Sequence, residues 1–156
     1  MSAPYFTKEI KQKLRAMGEN EFTCKDEHRI YMTKSKRTGF SAIDHVWLKS
    51  VPCPEGKKRE VVVVAFEITK DLDNLWYTKK MKGDITNLRL TNASLGVLVI
   101  PCIEKLKEQA TKRKGGKKWL EGINDYIKAL LRIAEPMKVD VWCYDHEKGF
   151  RYFLTA

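Results

Sequence analysis

Two stretches of this chain are apolar on both sides of a strand, yet each carries one carboxylate. Asp44 lies within GFSAIDHVWL, and Glu67 lies near the end of VVVVAFEIT. Side chains alternate along a strand, so Glu67 shares a face with Val63, Ala65 and Thr69, and Asp44 with Ala42, Val46 and Leu48. The opposite faces carry Ile43 and Trp47 in the first stretch, and Val62, Val64, Phe66 and Ile68 in the second. Strands of that kind belong in the middle of a sheet. A charge buried there is expensive unless it meets a partner or a metal ion. Two such acids on neighbouring strands repel each other, and a divalent cation relieves both. The pattern predicts a metal-dependent site.

The rest of the chain supplies the frame. A helix is expected over Thr7–Met17, with Ile10, Leu14 and Met17 as its apolar stripe and Gly18 as its stop. Strands follow at 27–33, 40–51 and 60–69, separated by the basic turn KSKRTG and the Pro/Gly loop PCPEGKKR. A helical stretch over 71–92, disturbed near Gly83, carries Met81, Ile85 and Leu88 on one face. LGVLVI at 95–100 reads as a buried strand closed by Pro101. A basic helix over 103–114 breaks at Gly115-Gly116, and a strongly amphipathic one runs from Trp119 to Ala134 before Pro136. Strands at 139–144 and 150–154 make a final hairpin. The order predicts an α/β fold: an αβββαβ core whose mixed β-sheet is flanked by helices, with a C-terminal helix and β-hairpin appended. There is no internal repeat and no interdomain linker, so residues 1–156 read as one domain.

Thirty Lys and Arg against twenty Asp and Glu give a net charge of +10. Such a balance favours anionic partners, nucleic acid above all. The cationic clusters are Lys34, Lys36 and Arg37, then Lys57, Lys58 and Arg59, and densest of all Lys112, Arg113, Lys114, Lys117 and Lys118. Runs of this kind grip phosphates without reading bases. Trp119 follows the last run but begins an apolar stripe and is assigned to the core. No segment has the length of a signal peptide core or a membrane span, which predicts a cytoplasmic protein with no membrane role. Cys24, Cys53, Cys102 and Cys143 are scattered, without zinc spacing, and read as reduced thiols. His28, His45 and His146 are isolated and read as structural.

With that order of elements, the chain resembles the PD-(D/E)XK, or restriction-endonuclease-like, nuclease superfamily over roughly residues 7–101. AIDHVW stands where that family has its first acid, VAFEIT where it has the (D/E)xK strand, and KGDITNLRLTNASLGVLVIP where it has the following helix and strand. The resemblance implies that Asp44 and Glu67 bind metal, with the Ile68 carbonyl as a further ligand. It implies a helix-one acid as well, best matched by Glu9, with Glu19 or Glu21 as alternatives. The family's lysine would stand two positions after Glu67, where this chain has Thr69. A substitute is then expected from the next helix, where Lys79, Lys80 and Lys82 are candidates and Lys82, beside Gly83, is preferred. Asp84 and Asn87 are read as capping or orienting that helix.

The chemistry implied is phosphodiester hydrolysis in DNA, with Mg²⁺ or Mn²⁺ as cofactor, by an endonuclease of a family whose members often act as homodimers. The catalytic set would be Asp44, Glu67, Thr69 and Lys82. The alternative is a nucleic-acid-binding module that keeps the nuclease fold without turnover, since Thr69 replaces the motif lysine. A third class, a basic assembly subunit with purely structural acids, predicts no metal binding.

Overall fold

The computed structural model describes residues 3–32, 39–69, 78–112 and 115–152. Helix α1 spans Ala3–Gly18, β1 Thr23–Met32, β2 Gly39–Pro52 and β3 Lys58–Ile68. Helix α2 follows at Thr78–Leu90, then β4 at Leu95–Pro101, α3 at Ile103–Thr111 and α4 at Gly116–Ala134. Strands β5, Val139–Asp145, and β6, Gly149–Tyr152, complete the chain. The fold is α/β, with one six-stranded open sheet in the order β1-β2-β3-β4-β5-β6. Pairing is antiparallel from β1 to β3, parallel from β3 to β5, and antiparallel again at β6. Parallel neighbours need long crossovers; α2 makes the first and α3 with α4 the second.

Apolar residues fill both faces of the sheet, as the double-sided strand sequences require. On one face Ala65, Leu98 and Val141 meet Ile85 of α2, Leu106 of α3 and Leu130 of α4. On the other, Phe66, Val97, Val99 and Tyr144 meet Phe6, Ile10 and Leu14 of α1. Each fully buried Leu or Ile contributes about 1.5–3 kcal/mol. Phe66 is the hub of an aromatic group, with ring centroids 4.8 Å from Trp47 and 5.6 Å from Trp142.

Three local expectations change. Helix α2 runs unbroken from Thr78 to Leu90 through Gly83, where a disturbance was expected, while 71–77 of the expected helical stretch lie outside the described residues. Met17 is 53% exposed instead of completing the α1 stripe; Gly18 takes that inward position, because its bare backbone lies against the Trp47 indole. Strand β1 also begins at Thr23, four residues before the expected start at 27. It is an edge strand, so its outer side needs no apolar sequence and TCKD gave no signal. Among the described residues, no helix is long and apolar enough to cross a membrane. The four cysteines are free thiols.

Candidate functional site

The β2–β3 ladder ends at His45 opposite Phe66. One step further the same register sets Asp44 opposite Glu67, and here side chains replace the backbone ladder. The Ile68 N–H donates to Asp44 Oδ2 at 2.7 Å, and the Asp44 N–H donates to Glu67 Oε1 at 3.2 Å. The strands part because β3 stays with β4: Glu67 pairs with Leu98, Ile68 with Val99, and the Thr69 N–H donates to the Val99 carbonyl at 2.8 Å. Two carboxylates are thus fixed side by side where a central strand leaves its neighbour.

Their electrostatics follow from that placement. Glu67 is 6% exposed. Burial, then the charges of Asp44 and Asp84, push its carboxyl up to about 9, against an ordinary 4.5, with Glu27 adding to the effect and the Asp44 N–H opposing it. Glu67 therefore holds a proton at neutral pH when no cation is near. Asp84 is half-buried on α2, within the turn-by-turn stripe of Met81, Ile85 and Leu88. Glu27 lies across β1 from Asp44, since Asp26 pairs with His45 and His28 with Ile43. It adopts a left-handed backbone, φ 50°, and ion-pairs with Lys11 of α1 at 2.5 Å.

Sequence reasoning gave Asp84 only the part of capping or orienting its helix and gave Glu27 none. Asp84 was legible as an acid inside an apolar helical stripe. Glu27 was not, because its position depends on the register of an edge strand.

Beside the pair, His45 is fully buried and its Nδ1 lies 2.6 Å from Asp26 Oδ1. Burial lowers its pKa despite the Asp26 carboxylate, so the ring is neutral and ties β1 to β2. This is the structural part expected of it.

The remaining candidates are placed as follows. Thr69 is buried directly after β3. Lys82 is exposed on α2 and is not brought to the pair, because the helix turns Met81, Ile85 and Leu88 to the sheet and the next position points outward. Lys79 and Lys80 fall in α2, but their side chains lie outside the described residues. Glu9 does not join the pair either: its Oε1 lies 2.6 Å from Nδ1 of His146, at the β5–β6 turn. Glu19 and Glu21 are exposed beyond the last turns of α1. Lys112, Lys117 and Lys118 are exposed at the α3–α4 junction, where Lys112 reaches Glu108 at 3.2 Å. Lys34, Lys36, Arg37, Arg113 and Lys114 lie outside the described residues.

The donor set fits a hard cation in one specific way. Among the described residues, no three His, Cys, Asp or Glu side chains converge as a metal cage. Mg²⁺ is commonly held by only one or two carboxylates, with waters and substrate phosphate supplying the rest. Two adjacent acids, one of them protonated for want of positive charge, match that demand. Fold and site together define an α/β protein with a paired-carboxylate site where its central strands diverge. Compared with family models, curated proteins and solved structures, the chain matches none of them.

Proposed function

We propose that this protein is a Mg²⁺- or Mn²⁺-dependent endonuclease of the PD-(D/E)XK, restriction-endonuclease-like type, acting on DNA. The observation that carries the reading is the Asp44–Glu67 pair, set opposite each other on adjacent strands, with Glu67 accepting from the Asp44 N–H and Asp44 accepting from the Ile68 N–H. Two further features support it. The elements run α1-β1-β2-β3-α2-β4, with β3 parallel to β4. The acids also fall on β2 and β3, the strands that carry them in that superfamily.

Asp44 and Glu67 would hold the ion, with the Ile68 carbonyl as a third oxygen. When bound, the ion supplies an activated water and neutralises phosphate charge. The chain's own part is then to position. Thr69 orients the attacking water through its hydroxyl, and a lysine from the first turn of α2 faces the scissile phosphate. Lys80 precedes Asp84 by four residues along α2 and is the lysine we assign to that role. Lys112, Lys117 and Lys118, with Arg113, Lys114, Lys34, Lys36 and Arg37, grip flanking phosphates. On this reading the chain is one nuclease domain, works in the cytoplasm and cuts as a homodimer.

A second reading, a DNA-binding module without turnover, is favoured by one observation: a buried Thr69 stands in the lysine's place while Lys82 faces solvent. One experiment separates the two. Supercoiled, linear and single-stranded DNA are incubated with the protein and Mg²⁺ or Mn²⁺, beside Asp44→Asn and Glu67→Gln. Cleavage that needs both acids supports the nuclease. Retained binding with no cleavage in wild type supports the module, and neither binding nor cleavage removes both readings.

A further inference from the structure

Asp84 stands on α2 with its level on the sheet fixed by its neighbours. Leu88 lies over β4 at Gly96, where an added Cβ would stand 3.2 Å from the Leu88 Cβ, and Gly96 pairs with Ala65 of β3. As the crossover between two parallel strands, α2 runs opposite to them. Asp84 precedes Leu88 by four residues, about 6 Å along a helix that rises about 1.5 Å per residue. Two residues beyond Ala65 cover about 6.6 Å of strand, at about 3.3 Å each. They end at Glu67, opposite Leu98. Asp84 therefore sits at the level of Glu67.

The face agrees with the level. Met81, Ile85 and Leu88 are buried in one cluster with Val46, Ala65 and Leu98, and positions 81, 84, 85 and 88 recur on one side of a helix. Side chains alternate along a strand, so Glu67 points the same way as Ala65 and Asp44 the same way as Val46. Asp84 is half-buried on that side, and its charge is one of those that push the Glu67 carboxyl upward. Three elements thus bring three carboxylates to one part of one sheet face.

Two simpler roles do not suit Asp84. It is the seventh residue of α2, past the first turn, where an acid would offset the helix dipole. It is not a third direct ligand either, since among the described residues no three His, Cys, Asp or Glu side chains could hold one ion together. A carboxylate beside a Mg²⁺ site but outside its direct reach has another use. Mg²⁺ dehydrates reluctantly and keeps several waters, and partners beyond the direct ligands orient what the ion holds and tune its affinity.

We propose that Asp84 is the outer acceptor of the metal site: its carboxylate takes hydrogen bonds from waters that an ion on Asp44 and Glu67 retains. Asp84 is thus a positioning residue that acts through water. This role rests on the reading of Asp44 and Glu67 as the metal-holding pair.

Calorimetric titration of the full chain with Mn²⁺ tests the role without DNA or turnover, and water-proton relaxation counts and times the waters on the bound Mn²⁺. Wild type should bind, and Asp44→Asn and Glu67→Gln should lose binding. Asp84→Ala should weaken Mn²⁺ about tenfold or more, the usual effect of removing such a partner. Asp84→Asn, which keeps an acceptor oxygen, should weaken it less. The number of bound waters should stay as in wild type while their exchange quickens in Asp84→Ala, a change that loss of a merely structural acid would not produce. Glu121→Gln removes the same charge at an exposed position of α4 and should leave the affinity unchanged. Thermal melts check that the variants fold, and Asp84→Asn carries the test if Asp84→Ala does not. Binding that needs Asp44 and Glu67 but is unchanged in both Asp84 variants overturns the role of Asp84 and leaves the pair standing. One more bound water in Asp84→Ala would make Asp84 a direct ligand instead, and an equal loss in Glu121→Gln would reduce the effect to net charge. A wild type that takes no Mn²⁺ at millimolar concentration overturns the pair as well as the role built on it.

Discussion

Glu67 is where burial and charge meet most sharply. Its carboxyl sits near 9 in the folded chain against 4.5 ordinarily, so between those values the folded protein keeps a proton that the unfolded chain releases. Stability therefore falls as pH rises through that window, by at most about 1.4 kcal/mol per unit. Below 4.5 both states are protonated and the effect disappears. Glu67→Gln retains an acceptor for the Asp44 N–H and removes the titration. Its denaturation midpoint should exceed that of wild type at about pH 8 and match it at about pH 4. An equal margin at both would mean that Glu67 ionises in the folded chain. If the pair holds a cation, Mn²⁺ should restore the wild type at the higher pH and leave the variant unmoved. Asp44 and Glu67 were legible in the sequence because a carboxylate in an apolar strand has no cheap place to go. Glu9 was legible only as an acid on a helix; its bond to His146 joins residues at opposite ends of the chain, and no local pattern signals it.

Elements are held by a few close contacts, and the junction of α1 with β2 shows how. Gly18 lies so near Trp47 that a Cβ there would stand 2.5 Å from the indole nitrogen. The indole cannot retreat easily: it donates to the Leu14 carbonyl at 3.1 Å, stacks on Phe22 at 5.6 Å and meets Phe66 edge-on. Gly18→Ala should thus destabilise by about 1–3 kcal/mol, the usual effect of overpacking, as read from a urea titration. A loss below about 0.5 kcal/mol, the size of a neutral surface change, would mean that the indole moves aside. The same helix explains why Gly18 looked merely like a stop signal: the sequence marks where a helix ends but not what its last turn touches. On α2, the stripe of Met81, Ile85 and Leu88 was legible and correctly faces the sheet. That orientation turns Lys82 away and leaves Lys80, one turn before Asp84, as the lysine to test. If the protein cleaves DNA, Lys80→Met should lower the rate about a hundredfold, the contribution of a positioned acid–base group, with Mn²⁺ affinity nearly unchanged. Cleavage at the wild-type rate would return the role to Thr69 or to Lys79.

Across the whole molecule the charges are sorted. The acids of the paired site sit where β2 and β3 part, while Lys112, Lys117 and Lys118 are exposed where α3 meets α4 and Lys57 and Lys58 where β2 turns into β3. The order of strands and helices could be read from periodicity because each strand is either doubly apolar or bounded by turn residues. The six-strand order could not, since strand neighbours are chosen by contacts distant in sequence. Charge, unlike topology, needs no such knowledge to make a prediction. A chain of +10 that binds DNA through phosphates must release counterions, so its affinity should fall steeply with salt. Lys117 and Lys118 are exposed at the start of α4 and Lys112 at the end of α3, so the three offer phosphates a common approach. Replacing them by Gln should weaken binding to all sequences alike and flatten the log–log salt slope by about one unit per lost phosphate contact. Lys57 lies on the β2–β3 loop and Lys58 and Arg59 begin β3, at the far end of that hairpin from Asp44 and Glu67. DNA threaded past the paired acids need not reach them, and their triple Gln variant should keep the wild-type slope. A slope changed by the loop variant and not by the α3–α4 variant would move the DNA track to the opposite end of β2 and β3, and the paired acids could not then be the cleavage site.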